Sequence, residues 1–92
     1  MTEPVDPVDT IAEAVTAVDG VAGLHGGMFG EVGTYLPGRR VAGITTRANV
    51  TEVHVTLDFG SDIRTVADRV RRAVSSIVDG QVDVVVEDVV PR

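Results

Sequence analysis

VTEVHVTLDF (residues 50–59), then GSD (60–62), then IRTVADRVRRAVSSIV (63–78) is the stretch that decides how this chain folds. In its first ten residues, Val53, Val55 and Leu57 alternate with Glu52, His54, Thr56 and Asp58. A period of two puts successive side chains on opposite faces, so it predicts a strand with one buried and one wet face. Gly60 ends the strand, and Ser61 or Asp62 can cap a helix. The period then lengthens. Ile63, Val66, Ala67, Val70, Val74, Ile77 and Val78 form one apolar stripe, which predicts a helix over residues 62–78. Its other side carries Arg64, Asp68, Arg71, Arg72 and Ser75, with Asp68 and Arg72 spaced for an i,i+4 ion pair. Gly80 closes the helix, and Gln81–Val90 reads as a last strand stopped by Pro91.

Upstream, Asp6 and Pro7 suit the cap and first position of a helix over about residues 7–18. Val8, Ile11, Ala12, Val15 and Val18 recur at helical spacing, and Gly20 is the stop signal. Val21–His25 is a short strand candidate. Gly26, Gly27, Gly30, Gly33, Pro37 and Gly38 then mark a loop, with room for one helical turn around Phe29–Tyr35. Arg40–Thr46 reads as a strand and Ala48-Asn49 as a turn. The expectation is a single α+β domain over residues 7–90, after a flexible lead-in of residues 1–6. Its order is α-β-β-β-α-β, with two amphipathic helices on one face of a three- or four-stranded mixed sheet.

Composition bounds the function. Ninety-two residues make one domain. The chain is 43% hydrophobic, rich in valine, with Phe29, Tyr35 and Phe59 its only aromatics. That argues against a binding surface built on stacked aromatics. With no cysteine there are no disulfides, thiolate metal sites or cysteine nucleophiles. The basic residues are all arginine, and net charge is −6. A negative field repels phosphate backbones and anionic lipid, so neither nucleic acid nor direct membrane insertion is expected. The acidic start Met1–Asp6 is unlike a signal peptide, and no apolar run approaches the ~20 residues of a membrane span. The expected setting is cytoplasmic and soluble.

Chemistry-bearing groups are sparse. His25 and His54 lack a local metal-ligand spacing and read as a turn residue and an outward strand residue. Ser61 reads as a cap, and Ser75 and Ser76 lack a glycine elbow. Gly23–Gly26 and Gly27–Gly30 match the G-x-x-G of KH domains but lack its basic surroundings. No catalytic residue, cofactor site or metal site is expected. The last strand is different. Val82, Val84 and Val86 share one face; Asp83, Val85, Glu87 and Val89 share the other, which is thus half apolar. A valine-rich edge is a template for pairing with another chain. The candidate interaction residues are Val85, Glu87 and Val89 on that strand, with Arg64, Arg71 and Arg72 as a second candidate face on the helix.

Four segments in order resemble the bacterial alkaline shock protein family, also called the envelope stress response or general stress protein family. Val18–Gly27, VDGVAGLHGG, is similar to its V-x-G-V-A-G-L-x-G-G opening. Val53–Gly60 resembles its V-x-V-x-L-x-x-G strand. Asp62–Val74 resembles its I-x-x-V-A-x-x-V-Q-x-x-V helix, with Arg71 at the glutamine position. Val82–Val89 resembles its closing V-x-V-x-V-x-D-V strand. The resemblance covers residues 8–90 and implies a cytoplasmic, non-enzymatic interaction protein. Such a protein is linked to envelope stress and homeostasis and acts through self-association (a homo-oligomer) or a small integral-membrane anchor protein. The segment 28–49 is shorter and richer in glycine than the family pattern. The charged C-terminal tail of longer members is not matched, so tail-mediated anchoring is not carried over. Two alternatives rest on residues alone: a ferredoxin-like or ACT-like small-ligand sensor, and a KH-like RNA binder.

Overall fold

The structure, a computed structural model, describes residues 6–91; residues 1–5 of the expected lead-in lie outside them. Eight elements follow in order: α1 (Pro7–Thr16), β1 (Val21–Leu24), β2 (Gly33–Leu36), β3 (Arg39–Ala42), β4 (Ile44–Arg47), β5 (Val50–Asp58), α2 (Ile63–Ser75) and β6 (Gln81–Val90). The class is α+β, as the periodicities predict. Two of the strands were not.

β5 is the axis of the main sheet. β6 runs parallel along its whole length, from Val50 beside Gln81 to Asp58 beside Val90. On the other edge of β5, two short strands lie end to end, both antiparallel. β4 pairs with residues 50–53, and β1 with residues 55–57. The sheet therefore has four strands but is only three wide, and β6 pairs with β5 alone among the described residues. Ala48 and Asn49 both adopt positive φ (49° and 62°) and make the two-residue turn from β4 to β5.

Both helices pack on one face. Val8, Ile11 and Val15 of α1 and Val66, Val70 and Val74 of α2 meet Ile44, Val53, Val55, Leu57 and Val82. Eight of these eleven buried apolar residues are valine, so the core is aliphatic and leaves every aromatic outside. Each such side chain contributes about 1.5–3 kcal/mol on burial. Asp6 caps α1 by accepting from the Val8 N–H at 3.0 Å. Asp62, not Ser61, caps α2, accepting from Thr65 at 2.9 Å. α2 is shorter than its stripe. It stops at Ser75, Ile63 is 48% exposed, and Ile77 and Val78 pack on the core from the following turn.

Residues 26–47 differ most from expectation. No helical turn spans Phe29–Tyr35; β2 and β3 form a hairpin there, turning at Pro37-Gly38. Pro37 fits the first turn position and Gly38 takes φ 74° at the second. The expected strand Arg40–Thr46 is two strands, broken at Gly43 with φ 87°. Gly43 accepts from the His54 N–H at 2.8 Å, while His25 donates its N–H to the His54 carbonyl at 2.9 Å. β1 and β4 thus meet at His54. A Cβ at Gly43 would stand 3.0 Å from both the His54 carbonyl oxygen and Leu24 Cβ, so the junction needs glycine. The hairpin is tied back by Thr34 Oγ1 donating to the Ile44 carbonyl and by a bidentate Arg39–Asp9 pair to α1.

Candidate functional site

The helices cover one face of the sheet and leave the other open. On β5 the open face carries Glu52, His54 and Thr56. On β6 it carries their register partners Asp83, Val85 and, past an irregularity, Asp88. The irregularity decides which candidates reach this face. The register slips between Val55 and Thr56, leaving Glu87 without a partner on β5, and afterwards Val89 stands beside Leu57. Leu57 is fully buried on the helix side. Val89 is therefore removed from the open face, contrary to the strict alternation read from sequence, because a bulge inserts one residue and inverts the faces beyond it. Val85 and Glu87 stay on the open face as expected, and Val90, beside Asp58, joins them.

Glu87 has a specific partner. Its Oε1 lies 2.6 Å from His54 Nδ1, while Glu52 Oε1 lies 2.5 Å from His54 Nε2. His54 is only 6% exposed. The expected outward, wet histidine is instead a buried link between β5 and β6, because Glu52 and Glu87 fold over its ring from either side. A neutral imidazole has one N–H and can donate to only one carboxylate; the imidazolium serves both. The energetics agree. Burial pushes the His54 pKa down, but hydrogen bonding of its ring to the Glu87 and Glu52 carboxylates, which accept, outweighs it and holds the group above its ordinary 6.5. Glu31, on the loop between β1 and β2, also lies close enough to feel His54 and His25. Hydrogen bonds from its own and the Phe29 backbone N–H keep its carboxyl below the usual range.

The helix candidates lie elsewhere. Arg64, Arg71 and Arg72 are exposed on α2, in the layer on the opposite side of the sheet from Val85 and Glu87. Arg72 pairs with Asp68 at 3.0 Å, as its spacing predicted, and Arg71 approaches the same carboxylate at 3.8 Å. The two sets of candidate interaction residues are therefore not brought together.

Two further features bear on function. The three aromatics are exposed: Phe29 by 86%, Tyr35 by 80% and Phe59 by 75%. Arg40 stacks 5.4 Å from the Tyr35 ring centre and donates to the Gly30 carbonyl, joining hairpin to loop. Between α1, the hairpin and the β4–β5 turn lies an open cleft of about 520 Å³, lined by Val8, Ile11, Thr34, Thr46, Thr51 and Asp79 among others. His25 Nδ1 accepts from the Gly27 N–H, fixing the glycine loop. Among the described residues no group of three or more His, Asp or Glu side chains is placed to hold a metal ion. Both His54 nitrogens are already engaged by carboxylates. No family model, curated protein or solved structure matches the chain.

The strand spacing E-x-H at Glu52 and His54 was visible in the sequence; its third member was not. Glu87 lies 33 residues away from His54 and reaches it only through the parallel β5–β6 register. The half-apolar second face of residues 81–90 was the one available clue that this side of the sheet is not simply solvated.

Proposed function

We propose that this chain is a non-enzymatic protein-interaction module of the envelope-stress type. It works in the cytoplasm, by self-association or by binding a membrane-anchored protein. The observation that carries this reading is β6: ten residues long, paired only with β5 among the described residues, and carrying Val85 on the open face. An unpaired strand edge offers a row of N–H and C=O groups to another chain. The resemblance of four ordered segments to the alkaline shock family supports the cellular context. That no helix among the described residues is long and apolar enough to cross a membrane is compatible with anchoring through a partner.

Light scattering across protein concentration, joined to a pull-down from cell extract with sequencing of retained proteins, tests this. A strict monomer that retains nothing would overturn it. The small-ligand sensor is the second reading, and the cleft beside Thr34, Thr46 and Thr51 is its motive. A thermal-shift screen of amino acids and nucleotides separates the two, since a ligand bound only by the native state raises the melting temperature.

A further inference from the structure

Taking the interaction-module reading as its basis, we infer that the partner presents an extended, basic segment. This segment adds as a strand along the outer edge of β6, with its arginine or lysine side chains lying over the open face.

Three observations select this occupant. The first is backbone chemistry. Among the described residues β6 pairs on one side only, and from Gln81 to Val86 its register with β5 runs without a break. Alternate backbone groups of that stretch point outward, and only another extended chain satisfies them in sequence. A helix cannot, so α2 of a second copy with its Arg64, Arg71 and Arg72 is a poor fit. Two of those arginines are moreover engaged with Asp68 of their own helix.

The second is charge. The acidic side chains on the open face beside this edge are Asp83, Glu87 and Asp88 of β6, then Glu52 and Asp58 of β5. Arg47 lies at the far corner, beside Val50. His54 at the centre is held between two of the carboxylates, Glu52 and Glu87. The edge therefore favours cationic side chains.

The third concerns a second copy pairing strand to strand. Two β6 edges meeting about a two-fold axis at Val85 would be antiparallel. That pairing sets Asp83 of one chain against Glu87 of the other, twice over. Like charges directly opposite one another on a sheet are destabilising. The same carboxylates that guard the edge against self-pairing admit a basic strand.

The test uses the full chain and three synthetic peptides. The parent alternates arginine and valine. One control replaces arginine by glutamate. The other keeps the arginines but places prolines at alternate valines, which removes backbone donors at constant charge. The parent should shift the backbone amide resonances of Gln81–Val86 and protect the outward-facing β6 amides from hydrogen exchange. Its affinity should fall with added salt. The glutamate peptide should not bind, and the proline peptide should bind at least about tenfold more weakly. Asp83→Arg should weaken the parent by roughly three- to tenfold. The near-isosteric Asp83→Asn should give a smaller loss in the same direction while leaving the rest of the spectrum unchanged. Equal binding of parent and proline peptides would overturn strand addition, and so would shifts confined to α2 or the hairpin. So would a dimer joined through β6. If the parent peptide fails while the pull-down still retains a partner, strand addition falls and the interaction reading stands. If both fail, the reading itself falls.

Discussion

His54 is the residue whose ionisation the fold controls most directly. Its pairing with Glu52 and Glu87 holds the native pKa above 6.5, so folding is favoured by an extra bound proton. The stabilisation is complete below the unfolded value and is lost as pH rises through the raised native value. The melting temperature should therefore fall across that window, and the decline should vanish in His54→Gln. A nuclear magnetic resonance titration of the imidazole should place its midpoint above that of free histidine. Removing one partner, as in Glu87→Ala, should bring the midpoint down and cost about 1–3 kcal/mol, because a buried ring nitrogen loses its acceptor. Gly80 is a second residue with a sharp demand. It holds φ 87°, and a Cβ there would overlap the Asn49 carbonyl oxygen. Gly80→Ala should destabilise by about 1–3 kcal/mol or more, measured by urea unfolding.

The elements read most easily were those with an unbroken period. β5 and α1 bury the stripe that their spacing marks, α2 buries Val66, Val70 and Val74 of its stripe but leaves Ile63 exposed, and Leu57 is fully enclosed between sheet and helices. Leu57→Ala should lower stability by about 2–5 kcal/mol, with the urea midpoint falling and the slope unchanged. The β2–β3 hairpin was not legible. Its strands are four residues each, and Gly33, Thr34, Tyr35 and Leu36 show no alternation strong enough to mark a strand. It is held by contacts that no local pattern announces: Thr34 to Ile44, Arg39 to Asp9, and Arg40 over Tyr35 and Gly30. The bulge in β6 was equally hidden. VDVVVEDVV reads as a regular strand, yet one slip against β5 sends Val89 to the helix side and leaves Glu87 free to reach His54.

For the whole molecule, the expected solution behaviour follows from the arrangement of layers. The helix layer carries the arginines of α2, and the open sheet face carries the carboxylates of β5 and β6. With net charge −6, the chain should not retain RNA even at low salt, which a gel-shift titration checks. Any association through the open face should weaken as salt rises, because charges partly exposed to solvent are screened. Much of this was set by the sequence alone: one α+β domain, its two amphipathic helices, the β5–α2–β6 unit and its acidic balance. Those features depend on the periodicity and composition of neighbouring residues. Only the tertiary structure decided that the sheet is three strands wide, that a hairpin fills the glycine-rich segment, and that His54 is buried between Glu52 and Glu87. Those features depend on pairing between residues far apart in the chain. There one slip in register exchanges the faces of a strand, and a glutamate 33 residues away becomes a neighbour of the histidine.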